Sequence, residues 1–365
     1  MKLETLVVEG IRNLQPATLT PRARFNVFVG DNGQGKTNLL ESIYAVAALR
    51  SFRTSKLAEL VAFGAERARL GARVVKDDLV RVYEVELAGG TKRVKLDGKA
   101  VRPLARYFGS FNVVVFTPED LALPRGAPAA RRRFLDRGAF NLDAGYLATA
   151  SDYDKVVKTR TRVLRQVAQA SIGVGQANQL LDVYDEQLAQ LAVAMVSART
   201  RFLEAIQPEL TRAFSSITRT GLAASVSYES SLAGQSSAEI VQRLRDGRAR
   251  DLAAQSTLIG PHRDDLAFAL EGREAGSFAS QGQLRAIMLA WKTAELATLA
   301  RVHGDLPILL LDDVSSELDE DRNRFLFEHL TTLAGQCFIT TTHADFVLVP
   351  GDRADYRIRA GQILD

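Results

Sequence analysis

A glycine-rich loop near the start of the chain has the residue types and spacing that bind phosphate. It fits the pattern G-x-x-x-x-G-K-[ST] and reads Gly30, Asp31, Asn32, Gly33, Gln34, Gly35, Lys36, Thr37. Glycines let consecutive backbone N–H groups surround phosphate oxygens, and a helix that starts there adds partial positive charge. We expect all eight residues to bind a nucleotide. Within them, we expect Lys36 to reach the β- and γ-phosphates and to act in catalysis, and Thr37 to ligate Mg²⁺.

Two carboxylates follow an apolar run near the other end of the chain. Residues 307–311 read PILLL and are followed by Asp312 and Asp313. A carboxylate at the end of an apolar strand can hold Mg²⁺, and its neighbour can orient an attacking water. We therefore predict Asp312 as a metal residue and Asp313 as the catalytic carboxylate. The alternative is that both acids only cap a strand in a turn.

Two further segments carry candidate residues. His343 follows the apolar run at residues 338–342 and is a catalytic candidate placed to sense the γ-phosphate, although a lone histidine is more often structural. Ser280, Gly282 and Gln283 precede a run of helical spacing, so their backbone amides and hydroxyl form a second anion-binding helix start. The competing interpretation of this second segment is an ordinary N-capped helix.

The elements that must position these residues can be identified from apolar periodicity. Residues 25–29 form a buried strand before the glycine loop, and a helix follows at residues 39–49. Period-two alternation predicts antiparallel strands over residues 70–97, and another strand at residues 112–116 precedes Pro118. Helical spacing persists through residues 142–213 and breaks at residues 171–175, which favours two antiparallel helices over one long kinked helix.

Composition excludes several classes of protein. The chain has 365 residues, enough for two lobes, and no apolar run approaches the roughly 20 residues that span a bilayer. The segment MKLETLVVEG lacks the pattern of a secretory signal, so we expect a cytoplasmic location and no membrane partner. The one cysteine, Cys337, excludes an internal disulfide and a cysteine-rich zinc cluster, and its apolar neighbours predict a buried strand position.

Basic charge is concentrated in the first part of the chain. The net charge of +4 divides into +9 for residues 1–150 and −5 for residues 151–365, and 37 of the 47 basic residues are arginine. Arginine suits forked contacts to phosphate. The DNA-binding candidates are Arg50, Arg53, Arg131, Arg132 and Arg133, with Arg125 and Arg137 beside the last three. The competing interpretation of the run at Arg131, Arg132 and Arg133 is a solvated helix face, and that of Arg53 is a nucleotide or interface role.

The order of these motifs resembles that of ABC-type ATPases of the SMC-like branch. The phosphate loop and the carboxylate strand lie at opposite ends of the chain, with S-x-G-Q, SSELD and His343 in the order of that superfamily. The stretches between the motifs resemble the RecF family over essentially the whole chain. They are LLESIYAVAALRSFRT, VVVFTPEDLALPRGAPAARRRFLDRGAF, LIGPHRDDL and SQGQLRAIMLAWKTAEL.

The resemblance implies an α/β fold in which an ABC-type P-loop ATPase head is formed from both chain ends. The head would comprise residues 1–117 and 252–365, and a mainly helical lobe would be inserted at residues 118–251. It also implies ATP and Mg²⁺ as cofactors and a homodimer that forms on ATP binding, in which Ser280, Gly282 and Gln283 cover the ATP of the other protomer.

The partners that the resemblance implies are duplex or gapped DNA, mediator proteins of the RecR and RecO type and, indirectly, RecA. The chain would be a DNA-dependent ATPase that supports RecA loading in recombinational gap repair, with hydrolysis releasing the dimer and the DNA. The alternative is another SMC-like ABC ATPase acting on chromosomal DNA. A transporter subunit, a nuclease-coupled ATPase and a DNA-binding protein with a vestigial site fit the motifs less well.

The sequence departs from the broader ABC pattern at two positions. No glutamine occurs from residue 35 to residue 165, so the glutamine that usually reaches Mg²⁺ before the helical lobe is missing, and Thr117-Pro118-Glu119 occupies its place. Asp313 stands where many relatives carry glutamate, which predicts slow hydrolysis.

Overall fold

The structure is a computed structural model that describes residues 1–54, 56–102, 104–349 and 351–364. Its backbone separates into two compact units. The first unit comprises Met1–Ala122, Glu209–Ala223 and Ala279–Asp365, and the second unit comprises Leu123–Pro208 and Ala224–Phe278. The lobe boundaries expected from the sequence, which are residues 1–117 and 252–365 for the head and residues 118–251 for the inserted lobe, stay a prediction. Residue 365, the last residue of the predicted head, lies outside the described residues.

The strands of the described residues are β1 (Lys2–Glu9), β2 (Ala17–Leu19), β3 (Phe25–Val29), β4 (Arg67–Lys76), β5 (Leu79–Ala88), β6 (Thr91–Leu96), β7 (Lys99–Ala100), β8 (Val113–Phe116), β9 (Ala224–Glu229), β10 (Asp265–Leu270), β11 (Arg273–Glu274), β12 (Ile308–Asp312), β13 (Cys337–Thr341), β14 (Arg353–Arg359) and β15 (Gln362–Leu364).

The α-helices of the same residues are α1 (Lys36–Ala48), α2 (Pro118–Leu121), α3 (Pro128–Leu142), α4 (Tyr146–Ala168), α5 (Val174–Thr218), α6 (Ser237–Ala254), α7 (Ala275–Phe278), α8 (Gln281–His303) and α9 (Glu320–Leu333). Short 3₁₀ turns lie at Leu57–Leu60, Leu104–Tyr107, Leu123–Arg125, Val314–Glu317 and Ala344–Phe346. None of the helices described is long and apolar enough to cross a membrane.

The first unit contains a mainly parallel sheet with the strand order β15-β14-β3-β13-β12-β8. Strands β14, β3, β13, β12 and β8 run parallel to their neighbours, and β15 is antiparallel at one edge. Strands β12 and β13 are buried along their whole length, as expected for inner strands of a parallel sheet. Because parallel strands end at one edge, the residues that follow β3, β12, β13 and β8 lie close together there.

A second, antiparallel sheet of the first unit has the order β2-β1-β4-β5-β6-β7. Helix α1 contacts β4 of this sheet and β8, β12 and β13 of the parallel sheet. Both sides of α1 are therefore covered, which explains why nearly every residue from Leu39 to Ala48 is buried. This packing fixes the start of α1, and with it the glycine loop.

The second unit is mainly helical, with a small antiparallel sheet in the order β11-β10-β9. The predicted break between two helices is confirmed, because α4 ends at Ala168 and α5 begins at Val174. Leu164 of α4 and Leu181 of α5 are both fully buried in one apolar cluster. The sequence also correctly predicted the strands within residues 70–97 and the buried position of Cys337, whose thiol pKa burial raises to about 12.

Candidate nucleotide-binding site

The glycine loop connects β3 to α1 through backbone conformations that favour glycine. Gly33 has φ of 79° and Gly35 has φ of 111°, both in the region that side chains disfavour. A Cβ atom at Gly30 would lie 2.3 Å from the carbonyl oxygen of Ile358. The loop therefore needs glycine for its own shape and for the close approach of β14.

Side chains and backbone from other segments hold the loop in place. Asn13 Nδ2 donates to the carbonyl oxygen of Gly33 at 2.9 Å, and the N–H groups of Ala360 and Gly361 donate to Gln34 at 2.6 and 2.9 Å. A trans peptide points its C=O and N–H in opposite directions. Fixing the carbonyl of Gly33 therefore also aims the N–H of Gln34. Asn13 is a positioning residue that the sequence analysis did not identify.

Lys36 is largely buried and bonded to its own loop. Its Nζ donates to the carbonyl oxygens of Gly30 and, at 2.9 Å, of Asp31. Burial lowers the pKa of Lys36, against the opposing charges of Asp313, Asp312 and Asp31. Neutral carbonyl groups compensate a buried ammonium only in part. A polyanion in the loop would compensate it better.

The structure brings Thr37 and Asp312 together although 275 residues separate them in sequence. Thr37 Oγ1 donates to Asp312 Oδ1 at 2.9 Å, and Thr340 Oγ1 donates to the same oxygen at 2.7 Å. Burial raises the pKa of Asp312, these two hydroxyls oppose that effect, and the charges of Glu119 and Asp313 add to it. A bound cation would favour the charged carboxylate.

Asp313 lies directly after β12 in a left-handed conformation with φ of 49°. Its N–H donates to the carbonyl oxygen of Thr340 at 3.0 Å, which fixes its backbone. Its Oδ1 is buried and has no hydrogen-bond partner among the described residues. Burial raises the pKa of Asp313, against the hydroxyl of Ser316 and the charge of Lys36. A buried carboxylate oxygen without a donor is suited to accept a proton or a hydrogen bond from a bound water.

These features fit a nucleotide with a divalent cation. Across the described part of the chain, no group of three or more His, Cys, Asp or Glu side chains is placed to hold a metal ion by itself. Mg²⁺ commonly takes only one or two protein ligands and completes its shell with phosphate oxygens and water. Thr37 and Asp312 are suited to that partial role, with Lys36 and the loop amides beside them for the phosphates.

Ser280 and Gln283 form a capping box at the start of α8. Gln283 N–H donates to Ser280 Oγ at 3.2 Å, and Ser280 N–H donates to Gln283 Oε1 at 2.8 Å. A Cβ atom at Gly282 would lie 3.2 Å from a guanidinium nitrogen of Arg322. The N-cap interpretation is therefore correct for the single chain. Ser280 is also exposed, so its role toward a nucleotide on a second copy stays a prediction.

His343 follows β13 at the same edge of the sheet as Asp312. Strands β12 and β13 are parallel with Asp312 level with Thr340, so His343 lies three residues beyond that level. The imidazole is exposed, and its ring meets Phe346 edge-on at a centroid distance of 5.5 Å. This placement leaves the side chain accessible to a ligand at the edge of the sheet.

The arginine candidates differ in how the protein already uses them. Arg50 and Arg133 are exposed. Arg53 donates to Asn38 Oδ1 at 2.8 Å, and about half of its side chain is exposed. In contrast, Arg131 pairs with Asp265, and Arg132 Nη1 donates to the carbonyl oxygen of Asp264 at 2.8 Å. Similarly, Arg125 donates to the carbonyl oxygen of Gly276 at 2.9 Å, and the Arg137 guanidinium lies 5.2 Å from the ring centre of Phe134.

A buried glutamate beside the glycine loop was also not predicted from the sequence. Glu41 is fully buried in α1 and accepts two hydrogen bonds of 3.1 Å from Arg12. The Arg53 guanidinium lies 3.6 Å from the same carboxylate. The signal in the sequence was a glutamate within the apolar run LLESIYAVAAL, where a charge needs a partner.

Comparisons with known proteins agree with this geometry. Residues 2–353 match the family described as RecF/RecN/SMC N terminal domain. The chain is 42% identical over 373 residues to the DNA replication and repair protein RecF of Geobacter sp. (strain M21), covering all of both chains. It is 40% identical to RecF of Myxococcus xanthus, covering 97% of this chain and 94% of that relative.

Solved structures of a RecF protein and of an Smc head are also similar to this chain. The structure of "the recombination mediator protein RecF-ATPrS in RecFOR pathway" matches with a TM-score of 0.87 and 30% identity, covering 100% of this chain and 97% of that chain. An Smc head bound to a domain of ScpA matches with a TM-score of 0.55 at 15% identity, over 99% of this chain and 96% of that chain, and shows the fold alone. The predicted α/β fold with an ABC-type ATPase head is confirmed.

Proposed function

The chain belongs to the RecF family of DNA replication and repair proteins, within the SMC-like ABC-type ATPases, and on that premise we propose that it is an ATP-driven, DNA-binding clamp. The observation that supports this proposal most directly is the meeting of Thr37 and Asp312 beside Lys36. Residues from opposite ends of the chain thereby form one site with a buried cation and a buried carboxylate.

In this proposal, the loop residues 30–37 hold the phosphates of ATP, and Thr37 and Asp312 hold Mg²⁺. Helix α1 directs its positive end toward the phosphates, and Lys36 exchanges the carbonyl groups of Gly30 and Asp31 for phosphate oxygens. Bound Mg²⁺ would supply charge compensation for the phosphates. Binding relieves the cost of burying Lys36 and Asp312 without ionic partners.

Hydrolysis needs a water that is oriented for in-line attack. Asp313 carries the buried Oδ1 that has no donor in the described part of the chain, so it accepts a hydrogen bond from that water and removes its proton. His343 contacts the γ-phosphate from the end of β13. Aspartate is one methylene shorter than the glutamate of many relatives, which supports slow turnover.

A second copy of the chain completes the site. Ser280, Gly282 and Gln283 at the start of α8 cover the ATP of the other protomer, with residues 315–319 at the two-fold axis. ATP binding thereby closes the dimer, and hydrolysis opens it. The exposed position of Ser280 in the single chain supports this role.

The clamp acts on DNA in the cytoplasm, where we propose that it binds duplex or gapped DNA and works with mediator proteins of the RecR and RecO type to load RecA. A family relative is described as a recombination mediator in the RecFOR pathway, which supports these partners. DNA would stimulate the ATPase because closure brings both halves of each ATP site together.

Sedimentation velocity with ATP, Mg²⁺ and gapped DNA tests the clamp. The wild-type chain should sediment as a monomer without nucleotide and as a dimer with ATP, and DNA should join the dimer. Lys36→Ala should remain monomeric at an ATP concentration that is just sufficient to saturate the wild type. Dimerisation that does not depend on nucleotide would contradict the proposal.

The salt dependence of DNA binding tests which arginines contact phosphate. Each phosphate contact contributes a slope of about −0.9 to log K against log salt. Arg50→Ala, Arg53→Ala and Arg133→Ala should each make the slope shallower by about that amount if the residue contacts DNA. Arg131→Ala is the matched comparison, because Arg131 already pairs with Asp265. If none of Arg50→Ala, Arg53→Ala and Arg133→Ala changes the slope, these three arginines do not contact DNA.

A further inference from the structure

The second unit carries a row of basic side chains on the outer side of α4. Lys155, Lys158, Arg162 and Arg165 are three, four and three residues apart, which places them on one side of the helix, and all four are exposed. The opposite side of α4 packs into the unit, where Leu164 is fully buried. We refer to the four exposed residues as the α4 basic face.

The sequence around this face is basic without interruption. Between Asp154 and Asp182 the chain has five basic residues and no acidic residue. One of the five, Arg160, is fully buried and is neutralised by Asp185 and Asp251. The other four are the residues of the α4 basic face, so all the remaining positive charge of this segment lies on its surface.

Most of this surface charge has no partner in the protein. Lys155 pairs with Asp152 at 2.8 Å. The side chains of Lys158, Arg162 and Arg165 make no hydrogen bond or ion pair with any residue that the structure describes. Three acids of the adjoining helices α5 and α6 are already bonded to other arginines. These pairs are Asp182 with Arg245 and Arg248, Asp185 with Arg160 and Arg248, and Asp251 with Arg160.

Helix stability accounts for only one of the three cations without a partner. A positive side chain in the last turn of a helix is favourable, because that end carries partial negative charge. Arg165 lies in the last turn of α4, which ends at Ala168. Lys158 lies near the middle of the helix, and Arg162 lies more than one turn before its end. Their charges are therefore available to a partner outside the chain.

The composition of the face indicates the chemistry of that partner. Protein interfaces depend on aromatic or apolar anchors, and single-stranded nucleic acid stacks its bases on exposed aromatic rings. Among the described residues of α4, no large apolar side chain is exposed, and both tyrosines, Tyr146 and Tyr153, are buried. Lysine, arginine and the nearby amide of Gln166 are side chains that contact phosphate oxygens. These properties favour the backbone of a nucleic acid duplex.

We propose that the α4 basic face binds the phosphate backbone of duplex DNA without reading its sequence. This inference rests on the DNA-binding part of the proposed function and adds a contact surface on a helix that carries none of Arg50, Arg53 and Arg133. At 1.5 Å per residue the row is about 15 Å long, and a duplex carries about nine phosphate charges over that length. Each cation of the row can therefore meet a phosphate.

Binding of labelled duplex DNA to the full chain tests this proposal, measured by fluorescence anisotropy over a salt series with a non-hydrolysable ATP analogue and Mg²⁺. The triple variant Lys158→Gln, Arg162→Gln, Arg165→Gln should make the slope of log K against log salt shallower by about 0.9 for each side chain that contacts a phosphate, or about 2.7 in total. Glutamine has nearly the helix propensity of lysine and arginine, so α4 should stay folded.

The matched control removes three exposed cations that the protein already pairs with acids. These changes are Arg201→Gln, Arg212→Gln and Arg245→Gln, and the acids are Asp143, Glu209 and Asp182. The net charge changes by the same amount, but the slope should change by less than the value of about 0.9 for one contact. A control slope as shallow as that of the α4 variant would show that net charge, and not this face, determines binding.

A conservative variant separates phosphate contact from any structural effect. Lys158→Arg, Arg162→Lys and Arg165→Lys together keep all three charges, so the slope should remain that of the wild type. A slope as shallow as that of the glutamine variant would mean that the substitutions disturb α4 and that contact of its charges with phosphate is not the cause.

The remaining outcomes separate this inference from the function on which it rests. If the wild type binds duplex DNA and the glutamine variant has the same slope, the α4 basic face does not contact DNA and the proposed function stands. If the wild type binds no duplex DNA, the DNA-binding part of the proposed function is itself wrong. An unchanged DNA slope with lost binding of poly-L-glutamate would assign the face to an acidic protein. An equal loss for a single-stranded oligonucleotide would overturn the assignment to a duplex.

Discussion

The second unit and the nucleotide site of the first unit both bury charged side chains, but they compensate these charges in opposite ways. In the second unit, Arg160 is fully buried, and its guanidinium donates to Asp185 at 2.7 Å and to Asp251 at 2.6 Å. In the nucleotide site, and among the residues that the structure describes, the buried Lys36 donates only to backbone carbonyls and the buried Asp312 accepts only from hydroxyls. The second unit supplies ionic partners from its own chain, as the first unit also does for Glu41, whereas the nucleotide site offers neutral ones.

A second buried arginine of the second unit, Arg199, also has an ionic partner in its own chain. Arg199 is 2% exposed and pairs with Asp136 at 2.8 Å, while its Nη1 donates to the carbonyl oxygen of Pro261 at 2.8 Å. It also donates to the hydroxyls of Tyr146 and Tyr228. Arg160 thus joins three helices, and Arg199 joins helices to β9 and to the loop at Pro261, so both arginines have a structural role.

The difference shows how a ligand site can be distinguished from a structural ion pair. Both place charge in a poorly solvated environment, but a structural pair is already neutralised by the protein. The nucleotide site keeps an acid with a raised pKa, a lysine with a lowered pKa and an aspartate oxygen to which none of the described residues donates. Such charges are compensated when the ligand binds.

The largest effect is expected where a structural pair is broken. Arg160→Met leaves Asp185 and Asp251 buried without their cation, so the free energy of unfolding should fall by about 3–5 kcal/mol. Denaturant titration of the variant and the wild type measures this change in the free energy of unfolding. Lys155→Met, which breaks an exposed pair with Asp152, should cause no measurable loss. A loss below about 1 kcal/mol for Arg160→Met would mean that the pair does not hold the unit together.

Asp313→Asn should raise the stability of the protein slightly and lower its ATPase activity. The buried Oδ1 of Asp313 has no donor within the ranges that the structure describes, so removing the charge of this carboxylate should raise the free energy of unfolding slightly. The same change should slow single-turnover ATP hydrolysis by about 100-fold, the lower range for loss of a general base. Unchanged single-turnover hydrolysis would show that Asp313 is not the catalytic carboxylate.

Lys36→Ala should weaken ATP binding while leaving the fold intact. Loss of a charged hydrogen bond to phosphate costs about 1.5–3 kcal/mol, which corresponds to about 10–100-fold in affinity. Fluorescence titration with a labelled ATP analogue measures the change, and Lys99→Ala, an exposed lysine of β7, serves as the control. If both variants bind the analogue like the wild type, Lys36 does not contact the phosphates.

The smallest effect concerns a partly exposed pair in the second unit. Burial alone would raise the pKa of Asp265, but hydrogen bonds from Arg131 and from the Leu266 N–H hold it below its usual value. The stability from this pair is therefore present above the unfolded pKa of about 3.9 and is lost as pH falls through the lower folded pKa. Asp265→Asn should cost about 1 kcal/mol or less at pH 7.

Urea unfolding of Asp265→Asn and of the wild type over a pH series checks this sign. The difference between them should shrink as the pH falls below about 4. A difference that grows in acid would contradict the assignment of the lowered pKa to the Arg131 bond.

Local features were predictable from the sequence because they depend on neighbouring residues. The strand at residues 25–29, the glycine loop and the helix after it follow from periodicity and glycine spacing, and the structure places them as expected. The meeting of Thr37 and Asp312 was anticipated from the motifs and the resemblance. Periodicity, glycine spacing and the order of motifs can all be recognised without knowing which side chains meet in three dimensions.

Long-range side-chain pairs could not be predicted in this way. Asn13 holds Gly33 from 20 residues away, and Arg12 pairs with Glu41 from 29 residues away. Arg131 and Arg132 read as surface charge in the sequence, yet both bond to the segment that starts β10. An arginine's role depends on which acid or carbonyl the fold brings to it, and the spacing of charges along the chain does not contain that information.

Isothermal titration of a non-hydrolysable ATP analogue into the full chain, with and without Mg²⁺, tests most directly whether the uncompensated charges of the first unit form a nucleotide–metal site. The wild type should bind one analogue per chain with Mg²⁺ and more weakly without it. Asp312→Asn should lose the Mg²⁺ dependence, and Arg131→Ala of the second unit should bind normally. Equal binding by the wild type and Asp312→Asn in both conditions would contradict the account.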